Sequence, residues 1–266
     1  MTWVKICGTT NVEDALAAVE AGADALGFVF YRRSRRVVDV ATARAIVEKV
    51  PDKVARIGVF VNEPVEKVVD AVHKVGLTAV QLHGDEDVEY SRNLYRKLAN
   101  GGPRPMIFRS LAARVFDVPD DECVGWDPVK DGILELDENY HGQRVRKLHV
   151  ADDGDLFLET HGFRPGVIGG ILLDSSTPTQ RGGTGRTFDW ERVRPWVGVM
   201  NSISKLVVAG GLTPKNVADA MAMLHPWGVD VASGVEISAG KKDWEKVHGY
   251  FRHPDYSQAV ALADDG

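Results

Sequence analysis

The chain has 266 residues, 44% of them hydrophobic and 26% charged, and carries a net charge of −6. That balance excludes a disordered chain and gives no electrostatic reason to bind a nucleic acid, although local basic sites stay open. Cys7 and Cys123 are the two cysteines, too few for a disulfide framework, and neither a secretory leader nor an apolar run near the roughly 20 residues of a membrane span is visible, so a reducing, cytoplasmic setting is expected.

In chain order, Trp3–Cys7 reads as the first strand. Thr10 to Glu13 fits a capping box before the run Ala15 to Val19, and Gly22 ends the helix it predicts, which runs to about Ala21. Strand candidates Ala25–Phe30 and Ala55–Val61 follow; Pro64 then opens, and Gly76 closes, a helix over Val65–Val75. Ala79–His83 and Met106–Phe108 are the fourth and fifth strand candidates. The interval from Met106 to Gly170 is much longer than the other spacings and reads as an insertion. Within it Val145–Val150 and Leu156–Thr160 flank Asp152-Asp153-Gly154-Asp155, a hairpin signal because such a turn needs positive φ. Gly170–Leu173, Leu206–Ala209 and Val229–Ala232 complete eight candidates, with Thr213 and Pro214 placed as N-cap and first-turn proline before Val217, Ala220, Met221 and Leu224. Residues 253–266 read as a C-terminal tail.

Most of these runs are apolar throughout rather than alternating, as in parallel strands covered on both faces. Eight of them alternating with helices favour a closed barrel over an open, doubly wound sheet. Chemistry in such a barrel sits where strands end and the loops to the following helices begin. That places Cys7 after the first strand, where a lone cysteine is more often a small buried hydrophobe, and Asp174 after the sixth, where a loop-capping carboxylate is equally common. Three glycine-bearing loops are more specific together than apart: Gln180 to Phe188, which includes Gly183; Ala209-Gly210-Gly211-Leu212; and Ala232-Ser233-Gly234-Val235-Glu236. Loops after the last strands of such barrels bind phosphate through backbone N–H groups, so a small phosphorylated molecule is the first substrate class. The basic run Arg32-Arg33-Ser34-Arg35-Arg36 is a solvated turn by default, yet one guanidinium at the barrel mouth could grip a carboxylate.

Taken together, Lys5-Ile6-Cys7-Gly8, Gly27 to Phe30 with Ser34-Arg35-Arg36, Val80-Gln81-Leu82-His83-Gly84, Leu172-Leu173-Asp174, Gly182 to Phe188, Ala209 to Leu212 and Val229 to Glu236 resemble phosphoribosylanthranilate isomerase of tryptophan biosynthesis. The resemblance runs from residue 3 to about 250, excluding most of 110–165. It implies a single (β/α)8 TIM barrel over 1–252, with an insertion between the fifth and sixth strands within about 110–165. It also implies an intramolecular oxidoreductase, an isomerase that performs an Amadori rearrangement of N-(5-phosphoribosyl)anthranilate to 1-(2-carboxyphenylamino)-1-deoxyribulose 5-phosphate. By the same resemblance Cys7 is the general base and Asp174 the general acid. Arg36 holds the anthranilate carboxylate, and His83, Gly183, Gly210, Gly211, Ser233 and Gly234 belong to the substrate site.

No cofactor or metal is implied, nor a nucleic-acid or membrane partner; the substrate is the expected partner, and the chain is expected to be a monomer or homodimer. A free Cys and a free Asp titrate near 8.5 and 3.9, so both would have to be shifted to serve these roles at neutral pH; burial can raise the acid, and a nearby positive charge or a helix N-terminus can lower the thiol. The chain is longer than is usual for the family, through the insertion and the tail. Rival readings are the histidine-pathway aminoaldose isomerase, which typically has Asp where Cys7 stands, a dual-substrate or related sugar-phosphate isomerase, and a barrel that binds a phosphorylated ligand without turning it over.

Overall fold

The computed structural model describes residues 2–99, 103–113, 148–150, 156–158, 167–175 and 187–251. Eight strands close into a barrel: β1 (Trp3–Cys7), β2 (Ala25–Val29), β3 (Ala55–Phe60), β4 (Ala79–Leu82), β5 (Met106–Ala112), β8 (Gly170–Asp174), β9 (Lys205–Val208) and β10 (Gly228–Val231). Every neighbouring pair is parallel, and β10 returns beside β1 with Lys5 opposite Asp230. Between β5 and β8, β6 (Leu148–Val150) and β7 (Leu156–Leu158) pair antiparallel, as the hairpin signal predicts. The turn that joins them, and the tail 253–266, lie outside the described residues.

Strand pleating sorts the side chains into two sets. One set, including Ile6, Leu26, Phe28, Val80, Leu82, Ile171, Leu173, Val208 and Val229, belongs to the main core shared with the helices. The other set points into the barrel: Ala25, Ile57, Ala79, Phe108, Leu172 and Val207 in one cluster, Cys7, Val29 and Val59 in another. Trp3 stacks on Phe108 at 6.0 Å and meets Trp227 at 4.8 Å with the rings tilted by 31°, filling the end of the barrel where the strands begin. At the other end, where the strands stop, polar side chains such as Gln81, Asp174 and Asp230 border a cavity instead.

The helices form for the local reasons the sequence offers, with two shifts of capping. In α1 (Val12–Ala21) the N-cap is Asn11, whose side chain accepts from the Asp14 N–H at 2.8 Å, so the Thr10 to Glu13 box is not the device used. Asp14 is the reason: it is held in place by other partners, accepting from the Lys242 N–H and the Trp244 indole. Helix α3 (Val65–Val75) buries Val65, Val68, Val72 and Val75 at helical spacing and ends at Gly76, whose φ is 78°. Helix α6 (Val217–Leu224) starts later than Thr213-Pro214 suggests. Asn216 stands at its N-cap without a side-chain bond to the helix: it reaches back, accepting from the Thr213 N–H at 2.7 Å and donating to the Gly211 carbonyl at 3.1 Å, while the Thr213 hydroxyl accepts from the Lys215 N–H at 3.2 Å. The remaining helices are α2 (Val40–Val47), α4 (Val88–Lys97), α5 (Trp190–Ile203) and α7 (Trp244–Phe251). No helix among the described residues is long and apolar enough to cross a membrane.

Strand β5 is longer than Met106–Phe108, because Arg109 and Ser110 interrupt the apolar run without ending the strand. Arg109, 2% exposed, is neutralised by Glu86 at 2.6 Å. Glu86 also accepts from the N–H groups of Asn62 and Gly84, so one buried carboxylate ties together the loops that leave β3 and β4.

Candidate active site

A cavity of about 730 Å³ opens at the ends of the barrel strands. Cys7, Gln81, His83, Asp174 and Asp230 reach it from the inward side of their strands, and Arg36, Gly210, Gly211 and Ser233 line it from the loops beyond. Cys7 and Asp174 close β1 and β8, with β10 and β9 between them in the barrel order, so they face the same space from separate walls.

Cys7 sits against Gly27 of β2, its register partner. A Cβ at Gly27 would lie 2.7 Å from the Cys7 sulfur and 3.0 Å from Cε of Lys5, so only glycine leaves room for both side chains. Lys5 is two residues before Cys7, hence on the same inward face, and its ammonium lies 3.0 Å from Asp230 Oδ1 with almost no exposure. Burial would lower the Lys5 ammonium, but Asp230 and Cys7 leave it raised, a cation inside the barrel. Burial also pushes the Cys7 thiol up, against the pull of Lys5. The expected lowering of the thiol is thus not the net result, because removal from water outweighs the nearby charge.

Asp174 Oδ2 lies 3.4 Å from His83 Nε2. The other ring nitrogen, Nδ1, is 2.9 Å from both the Gln81 amide nitrogen and Ser110 Oγ. An amide N–H can only donate, so Nδ1 accepts and the ring proton of a neutral His83 sits on Nε2, which lies near Asp174 without a hydrogen bond to it. His83 and Asp174 are therefore set face to face by Gln81 and Ser110, both from inward positions.

Arg36 leaves the loop after β2 and pairs with Glu236, Nε at 2.9 Å and Nη2 at 2.6 Å. Glu236 thus occupies one edge of the guanidinium, and the outer edge borders the cavity. Arg32, Arg33 and Arg35 are exposed, as a solvated turn requires. Glu236 belongs to a short hairpin, β11 (Glu236–Ser238) and β12 (Lys241–Lys242). The buried ammonium of Lys242 donates to Glu236 at 3.0 Å and to the Cys7 carbonyl at 2.5 Å. Burial would raise the Glu236 carboxyl, but Arg36 and Lys242 hold it below its ordinary value. Gly8, at φ 74°, lets the chain turn under Arg36, whose Cδ would stand 2.5 Å from a Cβ there.

The loops after β9 and β10 present open backbone. Gly210 and Gly211 have φ of 80° and 66°. Gly234 approaches Leu212 so closely that a Cβ would run into the Leu212 carbonyl oxygen. Ser233–Val235 is a single 3-10 turn starting at the cavity wall. Among the described residues, the N–H groups of Gly211, Ser233 and Gly234 donate to no protein acceptor. Such a nest of unpaired donors on two adjacent loops suits an oxyanion. Gly183 and residues 180–186 of its loop lie outside the described residues, as does Cys123. Among the described residues no group of His, Cys, Asp and Glu could hold a metal ion.

The structure gathers the described site residues expected from the sequence, Cys7, Arg36, His83, Asp174, Gly210, Gly211, Ser233 and Gly234, around one end of the barrel. Lys5, Gln81, Ser110, Asp230, Glu236 and Lys242 were not singled out. Most share one signal, a polar residue at an inward position of an otherwise apolar strand.

The family model for N-(5'phosphoribosyl)anthranilate (PRA) isomerase matches residues 4–99 and 138–253. The chain is 38% identical to N-(5'-phosphoribosyl)anthranilate isomerase of Thermotoga neapolitana over 252 residues, 95% of this chain and 98% of that one. It resembles the crystal structure of phosphoribosyl anthranilate isomerase from Thermotoga maritima with a TM-score of 0.68 and 33% identity, covering 97% and 100% of the two chains. A phosphoribosyl anthranilate isomerase in complex with reduced 1-(o-carboxyphenylamino)-1-deoxyribulose 5-phosphate gives a TM-score of 0.65 at 34% identity, covering 96% and 99%. With the barrel, the cavity and these likenesses in agreement, the chain belongs to the N-(5'-phosphoribosyl)anthranilate isomerase family.

Proposed function

We propose that this chain catalyses the Amadori rearrangement of N-(5-phosphoribosyl)anthranilate to 1-(2-carboxyphenylamino)-1-deoxyribulose 5-phosphate, with Asp174 as acid and Cys7 as base. The observation that carries the reading is that these two side chains enter one cavity from separate strands, with the glycine-bearing loops after β9 and β10 on one side and a guanidinium on another. Asp174 gives a proton to the ribose ring oxygen as the C1′–O bond breaks, and the nitrogen lone pair forms the iminium. The iminium acidifies the C2′ proton, which the Cys7 sulfur removes; the electron pair left behind gives the enamine, which tautomerises to the ketone. His83, facing Asp174 at 3.4 Å, orients the acid. The outer edge of Arg36 takes the anthranilate carboxylate while Glu236 fixes the guanidinium from behind. The phosphate is received by the N–H groups of Gly211, Ser233 and Gly234, with Gly210 shaping the turn and Gly183 contributing from its own loop.

The test is turnover by the purified chain of phosphoribosylanthranilate generated in place, followed by loss of anthranilate fluorescence, for wild type, Cys7→Ala and Asp174→Asn. Both variants should stay folded and lose about 10²-fold or more in kcat. Near wild-type kcat in both would remove the assignment, and no turnover by the wild type would leave a barrel that binds without reacting.

A further inference from the structure

Cys7 is surrounded by more charge than an acid–base reaction needs. On its own side of the cavity stand three cations and two carboxylates: Lys5 with Asp230, and Arg36 and Lys242 sharing Glu236. Asp174 and His83 are on the facing wall. Lys242 reaches Cys7 through the backbone carbonyl and Arg36 is committed to Glu236, which leaves Lys5 as the cation beside the sulfur. The placement is built in three ways. Lys5 and Cys7 are inward neighbours on β1, Gly27 is bare where both lie, and Asp230 is the cross-strand partner of Lys5. A lysine 1% exposed is costly to bury, and an apolar side chain would fill the same volume more cheaply.

We infer that Lys5, held in place by Asp230, is a positioning residue for the reacting sulfur, and that this pair sets how readily Cys7 carries negative charge. The inference rests on the reading of Cys7 as the base. A buried thiol resists ionisation, and an adjacent ammonium is the group that offsets that resistance. Asp230 has two opposed effects. It keeps Lys5 protonated and aimed, and it cancels part of the field that Lys5 applies to the sulfur. In the free protein the thiol proton leaves to water in the open cavity; in the reaction the sulfur takes the C2′ proton instead.

The experiment measures the rate of iodoacetamide alkylation against pH in a Cys123→Ser background, where Cys7 is the single thiol. Asp230→Asn, nearly isosteric, should move the midpoint to lower pH, because the ammonium that loses its carboxylate then has the Cys7 thiolate as its counter-charge and the amide still aims it. Lys5→Met combined with Asp230→Asn leaves no lone buried charge, so the fold is spared the usual consequence of breaking a pair. Its midpoint should lie about one pH unit above that of Asp230→Asn alone, or about tenfold less thiolate at a given pH below both. The acid limb of kcat/KM should shift in the same directions, which a purely structural loss of activity does not produce. Equal midpoints in the two variants, or a rise on Asp230→Asn, overturn the inference whatever Cys7→Ala does. Shifted midpoints with an inactive Cys7→Ala support it. An active Cys7→Ala removes the reading of Cys7 beneath it.

Discussion

Gly210→Ala tests how tightly Asp174, the proposed acid, is held. Gly210 has φ 80°, and a Cβ there would lie 2.6 Å from Ser175 N, 2.6 Å from Ser175 Oγ and 2.8 Å from Asp174 Oδ1. Ordinary contact begins near 3.4 Å. The β8 end must therefore withdraw by about 0.6 to 0.8 Å, or the turn must open by as much. Two costs follow, and Gly76→Ala separates them. Gly76 has φ 78°, the same backbone strain, with nothing within 4 Å of its added Cβ. That control should lose about 1 to 2 kcal/mol, roughly 2 to 8 °C in melting temperature, and keep wild-type kcat. Gly210→Ala should lose that much and about 1 to 3 kcal/mol more for overpacking. Because the displaced atoms include the acid itself, its kcat should fall by up to about 10²-fold. Melting by circular dichroism and turnover by anthranilate fluorescence read the two effects. A Gly210→Ala protein with the melting temperature and kcat of Gly76→Ala would refute the argument, since the clash would then have been relieved away from Asp174.

Arg36→Met should raise KM for the substrate by about 10-fold or more, as expected for loss of a charge-assisted, two-pronged contact, with a smaller fall in kcat; an unchanged KM would place the carboxylate elsewhere. Glu236 is held below its ordinary value, so the stability it adds is present above the unfolded carboxyl value of about 4.3 and lost as pH falls through the lower folded value. Glu236→Gln should accordingly flatten the melting temperature against pH below that value, and an unaltered acid limb would count against the ion pairs. Glu86→Ala takes a buried carboxylate from Arg109 and from the Asn62 and Gly84 N–H groups together and should lower the denaturant midpoint; an unchanged midpoint would count against Glu86 as the tie between these loops. The β6–β7 hairpin lies closer in sequence to β8, which starts at the far end of the barrel, than to β5, which stops at the catalytic end. Replacing 145–160 by a short Gly/Ser linker should therefore lower thermal stability or change oligomeric state with KM nearly unchanged; a many-fold rise in KM in a folded variant would put the insertion at the cavity mouth.

The barrel was legible because its strands are buried on both faces. Val4, Ile6, Leu26, Phe28, Ile171 and Leu173 pack against helices while Ala25, Ile57 and Leu172 fill the interior, so each strand shows as an apolar run. The same double burial hid the end of β5. Arg109 and Ser110 look like a loop in one dimension, and the Glu86 carboxylate and the Gly84 carbonyl, brought from the loop after β4, help to make a buried arginine tolerable there. The caps were misplaced by smaller forces. Thr10 and Asn11 are both sound N-cap residues, and the choice fell to Asn11 because Asp14, its capped partner, is fixed from the far end of the chain by Lys242 and Trp244.

The ends of the strands were readable in the same way, since Cys7, His83 and Asp174 each stand where an apolar run stops. What sequence order does not contain is which inward residues meet across the barrel. Lys5 and Asp230 are far apart in the chain, and become partners only when β10 closes against β1 in the register that sets one opposite the other. A slip of one residue in that register would send Asp230 to the helix side and leave Lys5 alone in the interior. The charge available to Cys7 is therefore a property of barrel closure, not of the Lys5-Ile6-Cys7 segment. Arg36 shows the same dependence. Its guanidinium can offer its outer edge to the cavity because Glu236, on the last loop of the barrel, holds the inner one. Cys7, the proposed base, and Arg36, the proposed carboxylate anchor, lie on the first two strands and their loops, yet each is set by residues that follow β10 or belong to it, so neither is in place until the barrel has closed.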